Sequence, residues 1–509
     1  MLSTLRLPLR GLFFILATLL GGLYLLNSYG TLRKSTTTLY IGNLDTLNKL
    51  TDNRMRQDAV RDAMVHAWKG YTEYAFGKDE LMPLSHSHNQ RWGNWSISLV
   101  DALDTLYLFG MLNEYEEAKR HVENIDFKRS PKGHRVPVFE MTIRALGGLL
   151  GAYELDQDPM LLKKAQEVGD TLAQAFNTPT GIPQPNIDLN DISSKGNEEL
   201  CVAEAGSLQL EFAKLSHLTG NSTYRELAER AGEALEAAER QHRGLYPMYI
   251  NINTGKYKPL SDYSAGALVD SFYEYMLKQY ILHGGREKKY MEQYVIATEA
   301  IANNLVRTTQ RGLSFIGRMS STGEFNREME HLACFYPGLL ALGAQVAGRK
   351  QDLALAEDLT RTCYLSYRTM ATGLGPERFS FPEKDGNAHK LGVKGIGMKV
   401  TDARYLLRPE TLESIFLLYR ATGDKKYQDW GWSIFVAIEE HTKVDGGYAA
   451  MVDVRKPNGS NNLMDSMESF FLAETLKYLY LLFSPTELLP LDKYVLNTEG
   501  HPLGIIPAA

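Results

Sequence analysis

Apolar and polar positions follow a helical period from about residue 52 almost to the end of the chain. In the first such segment, Val60, Met64, Trp68 and Tyr71 recur three or four residues apart, which places them on one helix face. The strand–helix alternation of a parallel sheet is absent from the sequence. The pattern predicts helices over residues 54–75, 98–112, 113–124, 139–155, 160–176, 204–218, 223–241, 265–282, 287–308, 328–346, 353–370, 409–421, 425–441 and 467–483.

Most of these helices come in pairs. Links within a pair are short and polar, which is typical of αα-hairpins, as in residues 156–159, 219–222 and 422–424. Links between pairs are longer, as in residues 178–194 and 374–404, and hold short strands such as 246–250. With the first and last helices paired to each other, about seven hairpins result, and a ring is the closure that leaves no end face bare. We therefore expect an all-α barrel with a few short β-hairpins in its loops.

The N-terminus differs in character from the rest of the chain. Arg6 and Arg10 precede an apolar run over residues 11–26, which is slightly shorter than the roughly 20 residues that span a bilayer. No small-x-small cleavage site follows it, so we favour a signal-anchor over a cleaved signal peptide. We expect a cytoplasmic tail and anchor over residues 1–34, a stem over 35–51 and a lumenal catalytic domain over 52–509.

Charge and sequons add limited information. The net charge of −6 does not favour a nucleic-acid partner, and three cysteines are too few for a disulfide scaffold. Asn221 and Asn458 lie in sequons within turn-like segments and are predicted glycosylation sites. Asn94 also lies in a sequon, but the tryptophans around it make it a weaker candidate.

Acidic residues mark the starts of the predicted inner helices. In the clearest case Pro409 starts a helix, and Glu410 and Glu413 share its first turn, where the helix dipole favours their ionised forms. Comparable positions hold Asp101, Asp104, Glu140, Glu204, Asp270, Glu330, Glu468 and Glu474. Solvent-facing capping acids account for one or two of them. A barrel mouth lined by so many acids must bind a cation or share protons, which indicates a metal-assisted enzyme acting on a polyhydroxylated substrate.

Six segments in order resemble the class I α1,2-mannosidases of glycoside hydrolase family 47, and most closely their Golgi-type and fungal members. The resemblance extends from about residue 52 to 503 and is carried by residues 139–149, 268–278, 331–338, 407–414, 470–483 and 496–502. It implies an (αα)7 barrel whose C-terminal segment plugs one end. It also implies a monomeric enzyme of the endoplasmic reticulum or Golgi that removes terminal α1,2-linked mannose from Man9GlcNAc2-type N-glycans with inversion.

The resemblance further implies one Ca²⁺ ion at the base of the pocket. The metal would be held directly by Thr498 of the motif Asn497-Thr498-Glu499, through its hydroxyl and backbone carbonyl. An oxygen-rich shell of this kind suits Ca²⁺. The acids expected to hold the metal through water molecules are Glu377, Glu410, Glu413, Glu474 and Glu499. The C-terminal tail, which alone would be judged dispensable, becomes the predicted floor of the site.

For catalysis the family pattern points to Glu140, Asp270 and Glu410. An inverting hydrolase needs one proton donor and one base that activates water. We assign Glu410 as the base and Glu140 as the acid, acting through a water molecule. Arg144, one helical turn after Glu140, would lower the pKa of that carboxyl, so Asp270 remains an alternative acid.

Substrate contacts are expected from Arg144, His331, Glu413, Glu474 and Leu268. For Arg144 the alternative is a structural ion pair with Glu140, and for His331 it is a buried structural role. Leu268 lies two residues before Asp270, where family members confined to one mannose branch tend to carry Arg. A smaller apolar side chain there predicts broader specificity.

Two cysteines match a family disulfide, Cys334 and Cys363, which would tie both helices of one hairpin in an oxidising lumen. Cys201 is expected to be unpaired and buried. The competing interpretation of the whole chain is a lectin-like homologue that binds misfolded glycoproteins in quality control without efficient turnover. The complete acid set and the cysteine pair favour the enzyme.

Overall fold

The structure is a computed structural model that describes residues 44–191, 196–382, 396–457 and 459–508. From Leu44 onward the chain forms one compact unit. The predicted anchor, most of the predicted stem and the predicted glycosylation site at Asn458 lie outside the described residues. Among the helices that are described, none combines the length and apolar character needed to cross a membrane.

The helices of the barrel are numbered here in chain order. They are α1 (Asn53–Tyr74), α2 (Ile97–Asp101), α3 (Leu103–Leu108), α4 (Leu112–Glu123), α5 (Val138–Glu140), α6 (Gly147–Asp156), α7 (Pro159–Ala173), α8 (Val202–Gly206), α9 (Gln209–Thr219), α10 (Ser222–Ala237), α11 (Asp270–Leu282), α12 (Lys288–Asn304), α13 (Tyr336–Ala347), α14 (Lys350–Arg368), α15 (Glu410–Thr422), α16 (Lys426–His441) and α17 (Leu476–Phe483). Shorter pieces are the α-helical turn Leu44–Leu47, the 3₁₀ turns Gln174–Phe176, His331–Phe335, Ser460–Asn462 and Thr486–Leu488, and the π-helical turns Met141–Leu146 and Phe471–Thr475.

Seven inner units form a closed ring. In order they are α2 with α3, α5 with its π turn and α6, α8 with α9, α11, α13, α15, and finally the π turn Phe471–Thr475 with α17. Each unit packs on the next, and the last π turn packs against α2 and α3 to close the ring. The outer layer consists of α1, α4, α7, α10, α12, α14 and α16. Because α1 packs against α17, the first and last helices form the seventh pair, and the predicted (αα)7 barrel is confirmed.

Side-chain chemistry separates the two layers. All eight residues of α17 are buried, as expected for a helix enclosed on every side. In contrast, α10 buries only Tyr224, Ala228, Ala231 and Leu235, a stripe with three- and four-residue spacing. The barrel core therefore lies between the layers and within the ring.

Short antiparallel strand pairs occupy the loops of the described chain. They are Glu80–Met82 with Ser87–Asn89, Val136–Pro137 with Asn186–Ile187, Glu199–Cys201 with Tyr249–Asn251, Val306–Thr308 with Ser314–Ile316, Arg318–Met319 with Phe325–Asn326, Glu328–Glu330 with Arg378–Ser380 and then Lys399–Asp402, Lys443–Val444 with Gly447–Tyr448, and Ala450–Met451 with Leu463–Met464. A final pair, Tyr494–Leu496 with Pro502–Gly504, packs on α6, α9 and α11. We call residues 494–504 the plug hairpin.

Several predicted helix boundaries differ from the structure, and three of the differences have a clear local cause. The helix predicted from residue 265 begins at Asp270, because Leu268 has a positive φ of 77° that interrupts a right-handed helix. The sequence predicts a helix from residue 328, but residues Glu328–Glu330 form a strand, in which polar and apolar residues alternate. The α-helix itself begins at Tyr336. The helix predicted to end at residue 308 gives way to the strand Val306–Thr308, which pairs with a neighbouring strand.

Candidate active site

Three buried carboxylates, two from ring elements and one from the plug hairpin, lie near the tip of that hairpin. Glu413 comes from the first turn of α15, Glu474 from the π turn Phe471–Thr475, and Glu499 from the plug hairpin itself. Burial raises the pKa of all three well above the ordinary value, and repulsion by neighbouring acids raises each further. Such a cluster is stable only if it shares protons or faces a cation.

Glu410 is the first residue of α15 and is held in its ionised form. Its Oε2 lies 2.7 Å from Nδ1 of His331, and its Oε1 lies 3.8 Å from Nη1 of Arg408. Burial acts to raise the pKa of Glu410, but the His331 hydrogen bond and both neighbouring charges lower it overall. An ionised carboxylate fixed by a second side chain is suited to accept a proton.

His331 is buried, and both of its ring nitrogens contact protein groups. Nδ1 contacts Glu410, while Nε2 lies 2.5 Å from the Tyr367 hydroxyl and 3.3 Å from that of Thr411. These contacts fix the plane of the imidazole ring. The geometry therefore favours an orienting role toward Glu410, and contact of His331 with substrate stays a prediction.

Asp270, the first residue of α11, has the opposite character. Burial raises its pKa to about 8, and repulsion by Glu330, Glu274 and Glu410 adds to this, although the Ser271 N–H donates to Oδ1 at 2.9 Å. Asp270 therefore holds a proton at neutral pH. A protonated carboxyl beside an ionised one is the pairing that acid–base hydrolysis requires.

Glu140 ends α5, where the chain enters the π turn Met141–Leu146, and a quarter of its side chain is exposed. Nε of Arg144 lies 2.8 Å from its Oε2. The same guanidinium donates to Ser469 at 3.0 Å and pairs with Glu499. Arg144 thus pairs with two site carboxylates, which supports an ion-pair role for its guanidinium.

The tip of the plug hairpin is rigid. The side-chain oxygen of Asn497 accepts the N–H groups of Glu499 at 3.0 Å and His501 at 2.8 Å. Gly500 supplies the positive φ of 74° that the turn needs. Thr498 is partly exposed at this tip. Since no described residue exchanges a hydrogen bond with the Thr498 hydroxyl, that oxygen is left for a ligand.

The buried charges behind the plug hairpin were not anticipated from the sequence. His501 lies 2.9 Å from Asp101 and 3.0 Å from Asp104, and Lys477 donates to Asp104 at 2.9 Å and to the Gly500 carbonyl at 2.8 Å. These pairings lower the pKa of both aspartates although burial opposes it. Asp101 and Asp104, which the sequence analysis grouped with the mouth acids, therefore hold the plug. The sequence feature that could have indicated these buried charges is Lys477, a charged residue within the apolar run of α17.

The donor set fits a cation bound largely through water. Within the described residues, no three His, Cys, Asp or Glu side chains are grouped closely enough to ligate a metal directly. Glu377 pairs with Nε of Arg408 at 2.8 and 2.9 Å, which keeps it beside Glu410. Buried acids without sufficient counter-charge, next to a free Thr498 hydroxyl, suit a hard cation that retains water ligands.

The cysteine predictions are confirmed. Cys334 in the 3₁₀ turn His331–Phe335 forms a disulfide with Cys363 of α14, which ties one hairpin together beside His331. Cys201 is a buried free thiol. Asn221 is exposed at the start of α10, and its glycosylation stays a prediction.

Comparison with known proteins gives consistent matches over the barrel. A model of glycosyl hydrolase family 47 matches residues 63–505. The human endoplasmic reticulum mannosyl-oligosaccharide 1,2-alpha-mannosidase is 43% identical over 458 residues, covering 88% of this chain and 64% of the human protein. The mouse mannosyl-oligosaccharide 1,2-alpha-mannosidase IB is 40% identical over 473 residues, covering 90% of this chain and 71% of the mouse protein.

A solved structure matches as well. An alpha-1,2-mannosidase from Trichoderma reesei superposes with a TM-score of 0.85 at 32% identity, covering 89% of this chain and all of that one. This chain spans just under two thirds of the length of the human relative. Similarity over the whole barrel is nearly equal for the human endoplasmic reticulum enzyme and for mouse mannosidase IB, so it does not separate subgroups.

Proposed function

This chain belongs to glycosyl hydrolase family 47, and we propose that it removes terminal α1,2-linked mannose from high-mannose N-glycans of glycoproteins. The observation that supports this most is the pairing of Asp270, whose pKa burial raises to about 8, with Glu410, whose pKa His331 and Arg408 lower against the effect of burial. We place the enzyme in the secretory pathway, in the endoplasmic reticulum or Golgi, because a relative named for the endoplasmic reticulum is 43% identical over most of this chain. We further propose a membrane anchor in residues 1–34 and a monomeric lumenal domain.

Glu410 is proposed as the general base. It takes a proton from a water molecule whose oxygen bonds to the anomeric carbon of the terminal mannose. The glycosidic carbon–oxygen bond breaks on the opposite face, so the configuration inverts. His331 and Arg408 keep Glu410 ionised and oriented.

The acid must give its proton to the departing glycosidic oxygen. The sequence analysis assigned this role to Glu140, with Asp270 as the alternative. In the structure Glu140 is ion-paired with Arg144, whereas burial raises the pKa of Asp270 to about 8. These two observations favour Asp270 as the proton donor, with Glu140 placed to orient the sugar or a bridging water.

Calcium is the proposed metal. Thr498 would bind the ion directly. The acids that would hold the ion through water molecules are Glu377, Glu410, Glu413, Glu474 and Glu499. When bound, Ca²⁺ supplies positive charge at the pocket floor that orients sugar hydroxyls and water. Glu413 and Glu474 keep those hydroxyls and waters in place from the protein side.

Leu268 is proposed to broaden specificity. It precedes Asp270 by two residues and is partly exposed beside Ala267, whose N–H is held by Glu330 at 2.7 Å. A long cationic side chain at this position would occupy the mouth of the pocket and select among glycan branches. The apolar Leu268 leaves that space open.

The test is digestion of Man9GlcNAc2, with products followed by mass, in Ca²⁺ and then in a chelator. Loss of several hexoses only with Ca²⁺ supports the proposal. If digestion by the wild-type chain stops after one hexose, the proposed activity stands but the specificity argument is wrong. The matched variant for that argument is Leu268→Arg, in which we expect digestion to stop early. Glycan binding without any release would favour the lectin-like alternative.

A further inference from the structure

Two side chains of α11 hydrogen-bond the peptide group that joins Asn497 to Thr498, one at its N–H and the other at its carbonyl. The N–H of Thr498 donates to the Tyr275 hydroxyl at 3.4 Å, and Nζ of Lys278 donates to the Asn497 carbonyl at 3.3 Å. Both groups belong to the single peptide that joins Asn497 to Thr498. Tyr275 and Lys278 are three residues apart and share one face of α11.

Both holding side chains are themselves fixed by buried contacts. Tyr275 is fully buried and donates to Oε1 of Glu211 at 2.6 Å, and the Asn497 side chain donates to the same oxygen at 2.7 Å. Lys278 is 3% exposed and pairs with Glu274 one turn earlier on α11. Buried hydrogen-bond networks of this kind rigidify the groups they contain.

The same helix begins at Asp270. Tyr275 is the fifth residue after Asp270, which gives a rise of about 7.5 Å along the helix axis. We propose that Tyr275 and Lys278 are positioning residues that fix the Thr498 ligand, so that α11 sets the spacing between Asp270 and the metal. This inference rests on the proposed function, in which Thr498 holds Ca²⁺.

Positioning and simple electrostatics predict opposite effects for Lys278. Its Nζ lies 3.9 Å from Oε1 of Glu413, within the acid cluster. If Lys278 acted only as a charge, its removal would leave the pocket more negative and strengthen cation binding. If Lys278 positions the Asn497–Thr498 peptide, its removal makes that peptide more mobile. Ca²⁺ binding must then order the peptide, and the lost conformational entropy weakens binding.

The first test is Tyr275→Phe, with Ca²⁺ affinity measured by calorimetry on the metal-free full chain. The matched control is Tyr273→Phe, since Tyr273 is buried on the same helix and its hydroxyl accepts the Tyr246 N–H at 3.2 Å, away from the plug. Fixing one backbone residue costs enough to weaken Ca²⁺ binding about tenfold in Tyr275→Phe. We expect the control to bind within about twofold of wild type, below the roughly fivefold-to-thirtyfold weakening that the ordering cost of one residue gives.

The second test is Lys278→Met, with Lys214→Met as its control. Lys214 is equally buried, pairs with Glu154 at 2.7 Å and donates to the plug carbonyl of Gly504 at 2.7 Å, at the far end of the hairpin. Weaker Ca²⁺ binding in Lys278→Met alone supports positioning. Unchanged or tighter binding in Lys278→Met, or equal weakening in both lysine variants, overturns it.

A metal-free measurement separates this inference from the proposed function. Hydrogen exchange at the Thr498 amide should be faster in Tyr275→Phe than in wild type and unchanged in Tyr273→Phe. If the wild-type chain binds no Ca²⁺, the metal part of the proposed function fails, and the exchange result alone decides the positioning role. Equal Thr498 protection in all variants would overturn it.

Discussion

Lys477 offers a sharp test of how the plug hairpin is held. Its ammonium group is fully buried and donates to Asp104 at 2.9 Å and to the Gly500 carbonyl at 2.8 Å. Asp104 is also fully buried, and His501 is its other charged partner, shared with Asp101. In Lys477→Met, the only charged partner left to Asp104 among the described residues is His501, which Asp104 shares with Asp101, and a carbonyl of the plug loses its donor.

Removing one partner of a buried ion pair costs about 3–5 kcal/mol, because the remaining charge is left in a medium that solvates it poorly. With an unfolding entropy of about 2.1 cal/mol/K per residue, a barrel of this length loses about 3–5 °C in its thermal midpoint. Calorimetry or circular dichroism measures this directly.

Two further variants complete the test. Lys426→Met removes a lysine from an exposed pair with Asp424 at 3.0 Å and should cost at most about 1 kcal/mol. Adding Asp104→Asn to Lys477→Met should restore part of the loss, since the uncompensated charge disappears. Equal midpoints for Lys477→Met and Lys426→Met would refute the assignment of the buried pair as a plug fastener.

Other predictions concern the site and its supports. The pH–rate profile should decline as pH rises through about 8, where Asp270 loses its proton, and also at acid pH below the usual range of a carboxyl pKa, where Glu410 gains one. An alkaline decline that persists in Asp270→Asn would contradict this. Glu410→Gln should retain glycan binding and lose about 10²–10⁴-fold in turnover, and near-normal turnover would remove it from the base role. Thr498→Ala should weaken Ca²⁺ binding more than Thr498→Ser, and equal affinities in calorimetry would argue against the hydroxyl as ligand. Replacing Cys334 and Cys363 by Ser opens a loop of 29 residues and should cost about 3–4 kcal/mol in urea unfolding, and an unchanged midpoint would show that the bridge adds no stability.

The barrel was predictable because each hairpin carries its own signals. Asp158 caps α7 with its side chain and Pro159 opens that helix, while Gly423 ends α15 with a positive φ of 68°. Such local rules fix helix ends without knowledge of the rest of the fold. The acids were found in the same way, because Glu410 and Glu413 occupy a first turn, where the sequence pattern is informative.

Contacts between distant parts of the chain could not be predicted. Nothing local indicates that Lys477 meets Gly500, or that His501 lies between Asp101 and Asp104, almost 400 residues away. The π-helical turns that carry Glu474 and lead on from Glu140 are equally unmarked, since Met141–Leu146 reads as an ordinary helical run. Such turns recur at functional sites because they re-aim side chains there.

The placement of the two key acids shows the same dependence on neighbours. Leu268 and Leu407, just before Asp270 and Glu410, have positive φ values of 77° and 63°, a conformation that costs a leucine about 1–2 kcal/mol.

Each strained leucine is held by the adjacent ring element. The Leu268 carbonyl accepts the Ala203 N–H of α8 at 2.9 Å, and the Leu407 carbonyl accepts the Thr475 hydroxyl at 2.6 Å. Because strain persists only where surrounding contacts enforce it, the entry angles of α11 and α15 are set by their neighbours in the ring. The backbone of Leu268 therefore helps to set the entry of α11, in addition to the role proposed for its side chain. The sequence identifies the acids at the helix starts, whereas the closed ring determines which of them meet at the plug tip and which hold the plug.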